Sequence, residues 1–381
     1  MQMKLYEIEE YRNQLQADAA VNLPWEQLSG KTVLISGASG LIGSYLVDLL
    51  LFKNRSDGLD CSVVGICRDR KRAEERFGEQ LRDERFKLLC ADINEGLSLG
   101  SAQVDYVVHL ASTTHPRAYS TRPIETIMTN LIGTRNLLDL AHSHSAQRFL
   151  FASSNEIYGE NRGDTELFDE DYLGYIDCNT LRAGYCESKR CGEALCQAYI
   201  KEKGMNIVIP RFTRSYGPTV LESDTKALSQ FINNAVNGED IVLKSKGQQY
   251  YSYSYVSDTV TGLLTVLLKG ACGQAYNVAD AKSDITLYDL ASKLAAFAGT
   301  KVVTQTPEEV ERLGYSKATK ARLNGAKLQR LGWQSRVKME DGLMRTIRIL
   351  RKLKEDREPP CRIDPDMPAE ALVKGAPLRE L

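Results

Sequence analysis

The sequence predicts an α/β fold: a doubly wound parallel sheet completed by a smaller C-terminal α/β lobe. Three observations carry this. Thr32-Val33-Leu34-Ile35-Ser36, five β-prone residues, runs through Gly37-Ala38-Ser39-Gly40-Leu41-Ile42-Gly43 into the apolar helical run Leu46, Val47, Leu49, Leu50. Nearly continuous apolar strands recur downstream with helical segments between them, the pattern of a parallel sheet covered on both faces. A chain of 381 residues that is 43% hydrophobic also buries a substantial core.

Residues 1–30 read as an N-terminal helical arm, because Leu5, Ile8, Tyr11 and Leu15 recur at helical spacing ahead of Leu23-Pro24-Trp25. The arm either packs on the body or makes a dimer contact. Residues 31–211 read as a dinucleotide-binding domain of Rossmann type. After the first strand come Ser62 to Cys67, Phe86 to Cys90, Asp105 to Leu110, Arg148 to Ala152 and Asn206 to Ile209, with helices between. A helix that opens straight after a glycine turn aims its free N–H groups and positive dipole end at whatever lies over the loop. Without Cβ atoms at Gly37, Gly40 and Gly43, a pyrophosphate can come close.

Beyond about Phe212 the alternation breaks. Residues 212–354 read mainly as a substrate-binding lobe with helices at Ala227 to Asn237, Asp258 to Leu268 and Leu287 to Ala298, and a Tyr-rich strand from Gln249 to Tyr255. A segment near 250–280 is expected to return to the first domain. Residues 355–381 hold five of the eleven prolines and predict an extended tail.

The formal charge is −1, so no bulk field favours nucleic acid or an anionic membrane surface. No stretch approaches the roughly twenty apolar residues of a membrane span, and the acidic start from Met1 to Tyr11 lacks a signal-peptide core. A cytoplasmic protein is expected. Nine scattered cysteines without C-x-x-C spacing read as reduced thiols, and Cys186, Cys191 and Cys196 diverge around a helix, so no metal is predicted.

The fifth strand ends Ser153-Ser154-Asn155-Glu156-Ile157-Tyr158-Gly159, and some thirty residues on a helix opens Arg182-Ala183-Gly184-Tyr185-Cys186-Glu187-Ser188-Lys189. Tyr185 and Lys189 stand at i and i+4, on one face. A lysine near a phenol, with a positive nicotinamide beside both, favours phenolate and lets tyrosine act as a base. Ser154 is placed to hydrogen-bond the same substrate hydroxyl.

These features, with His109-Leu110-Ala111-Ser112 followed by Tyr119 and Pro123-Ile124, Thr129-Asn130 with Gly133-Thr134, Lys189-Arg190 with Glu193, Tyr216-Gly217-Pro218 and Tyr255-Val256-x-Asp258, resemble the extended short-chain dehydrogenase/reductase family that modifies nucleotide sugars. The resemblance runs from about Lys31 to Leu350, and within the family it is similar to the UDP-glucuronate decarboxylase branch and to sugar-nucleotide 4,6-dehydratases. It implies tightly bound, recycled NAD or NADP, a nucleotide-diphospho-sugar substrate and a homodimer. It also implies that Tyr185 takes the proton of the sugar 4-hydroxyl as the C4 hydride leaves, with Lys189 holding the ribose. The 4-ketone formed labilises C5: a C6 carboxylate leaves as carbon dioxide, or Glu156 takes a C5 proton with loss of water. Alternatives within the fold are a 4-epimerase or a net oxidoreductase, and a non-enzymatic sensor would have no use for the base. Cofactor contacts carried over are Gly37, Ser39, Gly40, Leu41, Ile42, Gly43, Leu110, Ala111, Ser112, Asn130, Tyr185 and Lys189, with Asp92-Ile93 against adenine.

Departures from the family pattern sharpen the reading. Dehydratases often place an acid before the glutamate, whereas Asn155 has no proton to give, which moves the expectation toward decarboxylation. Tyr251 stands where an arginine contacts the substrate diphosphate, and Arg214 stands where an asparagine is usual. Arg214 either takes over the diphosphate or pairs with an acid such as Glu222. Arg117 and Tyr119 are candidates to receive a sugar carboxylate, and Arg117 can equally be a solvated loop charge. At the end of the second strand, Cys67 replaces the acid that would hold an NAD ribose; Arg68 suits a 2′-phosphate, while Asp69 remains within reach of NAD.

Overall fold

The computed structural model describes residues 4–357, apart from residues 115 and 317. Its strands are β1 (Thr32–Ser36), β2 (Ser62–Cys67), β3 (Phe86–Cys90), β4 (Tyr106–His109), β5 (Arg148–Phe151), β6 (Ser153–Ser154), β7 (Ile207–Phe212), β8 (Arg214–Tyr216), β9 (Ile241–Leu243), β10 (Tyr250–Tyr255), β11 (Ala275–Val278), β12 (Asp284–Thr286), β13 (Val302–Thr304) and β14 (Lys320–Ala321). The main sheet has eight strands in the order β11-β7-β5-β4-β1-β2-β3, with β6 beside β7. Every pairing in it is parallel. The chain leaves β1 toward β2 and β3, then returns to β4 on the other side, so the crevice of this doubly wound sheet opens beyond the carboxyl ends of β1 and β4.

The helices are α1 (Glu9–Ala19), α2 (Leu41–Asp57), α3 (Arg70–Phe77), α4 (Pro116–Thr121), α5 (Pro123–Ser143), α6 (Ala183–Lys203), α7 (Ala227–Asn237), α8 (Val256–Lys269), α9 (Leu287–Ala298), α10 (Glu309–Gly314), α11 (Ala326–Gln329) and α12 (Met339–Arg357). None is long and apolar enough to cross a membrane. Local chemistry sets their starts: Pro123 opens α5, where its missing N–H costs nothing, and the Thr286 hydroxyl caps α9 by accepting from Asp289 N–H. Residues 358–381, most of the expected tail, lie outside the described residues.

Past Phe212, β10 sits between an antiparallel β12 and a parallel β14, and continues beside β8. β9 and β13 form a separate pair. β11 lies in the main sheet on β7, with α8 packed against both. The strand from Gln249 is therefore lobe structure, and it is α8 and β11 that rejoin the main sheet.

The N-terminal arm buries its apolar stripe on the body: Leu5, Ile8, Tyr11 and Leu15 all belong to the main core. Polar groups lock it there. The fully buried Asp48 accepts from Tyr11 Oη at 2.6 Å, Gln80 Nε2 at 2.9 Å and Arg76 Nη2 at 2.5 Å. Nearby Asp18 accepts from Tyr45 Oη at 2.6 Å and from Ser257 Oγ at 2.9 Å. Removing one partner of a buried ion pair strands the other charge. Asp48→Ala is therefore expected to lower stability in urea by about 3–5 kcal/mol, against about 1 kcal/mol for Tyr11→Phe. Equal losses would refute this account of the arm.

Candidate active site

The glycine turn is shaped by close backbone approach. Gly37 has φ +70°, and a Cβ there would stand 2.8 Å from the Ala111 nitrogen. A Cβ on Gly43 would stand 2.3 Å from the Gly37 carbonyl oxygen. Gly40 is the N-cap of α2, so the first N–H groups of that helix face the crevice, with Ser39, Leu41 and Ile42 half-buried around them. From β4, the Leu110 and Ala111 N–H groups donate to the Ser36 carbonyl and hydroxyl, both at 3.2 Å. This is a cradle that admits a pyrophosphate and excludes side chains.

At the neighbouring strand ends, Cys67 is buried and Arg68 is exposed, its Nη1 lying 3.2 Å from Glu125 at the start of α5. Asp69 is committed to structure: its carboxylate caps α3 by accepting from Arg72 N–H at 3.0 Å. Asp92 binds its own turn through Asn94 N–H at 2.9 Å, and Ile93 is buried against Gly133.

Helix α6 comes unusually near the sheet. A Cβ on Gly192 would meet the Phe151 ring at 2.3 Å, so glycine there lets the helix settle onto β5. Lys189, one turn earlier, is buried and donates from Nζ to the Ala152 carbonyl at 2.9 Å. Burial pulls its pKa down from 10.5 to about 8. Tyr185 is buried with its ring stacked on Tyr119 at 5.0 Å and its hydroxyl beside Ser154. Burial raises the phenol pKa well above its ordinary value, and Ser154 works in the opposite direction. The expected phenolate is thus opposed by desolvation, and the Lys189 ammonium is turned to a backbone carbonyl. Ser112 Oγ donates to Asn130 at 2.7 Å, Asn130 to Ser188 Oγ at 2.8 Å and Ser188 to the Tyr185 carbonyl at 2.9 Å, tying β4, α5 and α6 together beside the phenol.

The remaining residues gather around Glu156. Its carboxylate lies 2.5 Å from Arg182 Nη2 and 3.3 Å from Arg214 Nη2. Burial alone would raise its pKa, but the two guanidiniums outweigh this and hold it below the ordinary glutamate value. The Arg182 guanidinium lies 4.7 Å over the Tyr119 ring, and that of Arg214 lies 3.5 Å over the Tyr251 ring. With its amide oxygen facing Arg214 Nη1 at 2.8 Å, Asn155 donates to the Phe212 carbonyl at 3.3 Å. The acid that Arg214 meets is Glu156. Arg117 is exposed on α4 and its charge acts on Glu311 of α10, so it stands apart from this buried cluster. For Arg182 the sequence offers one signal, its position three residues before Tyr185, which puts both on one side of α6.

Two measurements check this geometry. Gly43→Ala is expected to weaken dinucleotide binding more than about tenfold, as a backbone clash in the cradle requires, while far-ultraviolet circular dichroism is unchanged; unaltered affinity would contradict it. In the dinucleotide-free protein the unfolded chain holds a proton on Lys189 between pH 8 and 10.5 that the folded chain has released. Stability of the parent relative to Lys189→Met should therefore rise with pH across that window in urea titrations, and a flat difference would refute the burial.

A model of the NAD dependent epimerase/dehydratase family matches residues 33–279. UDP-glucuronic acid decarboxylase 1 of Xenopus tropicalis is 33% identical over 326 residues, covering 84% of this chain and 72% of that protein. Among solved structures, a UDP-glucuronic acid 4-epimerase from Bacillus cereus has 23% identity and a TM-score of 0.73, with 84% and 99% of the two chains covered. A dTDP-glucose 4,6-dehydratase from Streptomyces venezuelae has 24% identity and a TM-score of 0.72, with 84% and 97% covered. These two share the fold. On the family model and the identity to the decarboxylase, the chain is a member of the NAD dependent epimerase/dehydratase family.

Proposed function

We propose that this protein removes carbon dioxide from a UDP-glucuronate-like nucleotide sugar through a transient 4-keto sugar, with NAD bound and recycled. One observation carries the choice among the family's reactions: Asn155 and Glu156 form a pair unsuited to dehydration. Asn155 is an amide held by Arg214 and Phe212 and has no proton to give to a departing hydroxide. Glu156, kept ionised by two guanidiniums, is a weak base for a C5 proton. Decarboxylation needs neither group. The identity to a UDP-glucuronic acid decarboxylase supports the same choice.

The residues fit the cofactor because the glycine cradle leaves room where any Cβ would intrude. Gly37, Ser39, Gly40, Leu41, Ile42 and Gly43 would take the pyrophosphate, Asp92 and Ile93 the adenine, and Leu110, Ala111, Ser112, Asn130, Tyr185 and Lys189 the ribose and nicotinamide end. Held there, a nicotinamide dinucleotide would supply reversible hydride chemistry at the sugar C4. NAD is preferred to NADP on the NAD dependence of the family whose model matches the chain.

Tyr185 takes the proton of the 4-hydroxyl while Ser154 holds that oxygen, and Lys189 supports the phenolate once a ligand occupies the crevice. The 4-ketone makes the C6 carboxylate a β-keto acid: the C5–C6 bond breaks, its electron pair passes into the enolate, and a proton then restores C5. Tyr185 finally returns its proton to the C4 oxygen as the ketone is reduced. Tyr119, Asn155, Arg214 and Tyr251 form the sugar wall, while Arg117 stays an exposed charge on α4. A homodimer through α5 and α6 fits the exposed Ile124, Met128 and Leu181 at the starts of those helices. The protein is read as cytoplasmic.

Incubation with UDP-glucuronate should yield a nucleotide sugar lighter by about 44 mass units, as loss of carbon dioxide requires. Tyr185→Phe should cut turnover by about 10²-fold or more while substrate still binds. Loss of about 18 units, or an unchanged mass with an altered sugar, would replace decarboxylation with dehydration or epimerisation.

A further inference from the structure

Two guanidiniums and one carboxylate share the pocket beside Tyr185. Side-chain exposures are 12% for Arg182, 20% for Arg214 and 17% for Glu156, so the group is mostly withdrawn from water. Taken as ionised, the three leave one positive charge uncompensated, and burying an unbalanced cation is unfavourable. One donor is also unmet: Arg182 Nε is buried without a hydrogen-bond partner, while Nη1 reaches only the Cys186 sulfur at 3.3 Å. The pocket is short of one anion.

The geometry points to Arg182 and Arg214 as the receptor for the C6 carboxylate of the sugar, with Glu156 holding the two guanidiniums in place. The inference rests on the decarboxylase reading for the identity of the substrate. Connectivity selects the carboxylate over the diphosphate. The phenol of Tyr185 meets the hydroxyl on C4; C6 hangs from the adjacent C5, whereas the diphosphate hangs from C1, across the ring. Arg182 lies one helical turn before Tyr185, and the Tyr119 ring beneath its guanidinium stacks on the Tyr185 ring. Arg214 reaches the same carboxylate of Glu156 from the opposite wall, braced on Tyr251. With a uronate bound, two cations face two anions and the pocket is neutral. Loss of carbon dioxide removes one anion and restores the imbalance, so the pentose product binds more weakly than the substrate.

The test titrates the NAD-loaded protein carrying Tyr185→Phe with UDP-glucuronate, UDP-glucose and UDP. UDP-glucuronate should bind at least about tenfold tighter than UDP-glucose, as a charge-assisted pair implies. Adding Arg182→Met or Arg214→Met should bring the two sugars within about twofold and leave UDP affinity unchanged. The milder Arg182→Lys and Arg214→Lys should keep an intermediate preference, and serve as the test if the methionine variants fail to fold. A preference that survives both substitutions overturns the inference. So does a parallel fall in affinity for UDP, which would mark a diphosphate contact. The decarboxylase reading fails separately, if the parent protein prefers the uronate but releases no carbon dioxide from it.

Discussion

The close approach of α6 to the carboxyl end of β5 is the constraint on which the site depends. Gly192 permits it, since any side chain there would occupy the Phe151 ring. Once the helix is seated, Lys189 reaches the Ala152 carbonyl and Tyr185 comes to lie beside Ser154. The hydrogen-bond chain through Ser112, Asn130 and Ser188 then fixes the helix to β4 and α5. Placement of the phenol beside Ser154 and of the ammonium on the Ala152 carbonyl is thus a packing outcome before it is a chemical one.

Burial has opposite effects on the two groups. It raises the Tyr185 pKa and lowers that of Lys189, so the protein by itself disfavours both charged forms. Near neutral pH the phenol therefore keeps its proton while Lys189, at about 8, is still mostly ammonium, so it is the phenolate that waits for a ligand to alter the local field. Glu156 illustrates the contrary case. It too is withdrawn from water, yet two guanidiniums hold its pKa below the ordinary glutamate value and keep it ionised.

Much of this was legible in the sequence where the determining contacts are local. The glycine turn declares itself by strand, loop and helix within twenty residues, and Tyr185 and Lys189 by helical spacing. Long-range pairings were not legible. Arg182 and Glu156 are 26 positions apart and meet only because β6 and α6 converge; Arg214 finds Glu156 from 58 positions away. Asp69 looked available for a ribose until the start of α3 claimed it as a cap. The short β11 gave no strand signal of its own, being an edge strand recruited by β7. Electrostatic balance was hidden as well: spacing places a lysine near a tyrosine, but only the fold reveals how little water remains around either.

The central claim is that Tyr185 initiates a transient oxidation at C4 of the sugar before the C5–C6 bond breaks. The most direct measurement is single-turnover release of carbon dioxide from UDP-glucuronate with deuterium in place of hydrogen at C4. The account predicts slower release from the labelled sugar than from the unlabelled one, with the deuterium kept at C4 of the product. Identical release rates, together with loss of the label to solvent, would contradict it.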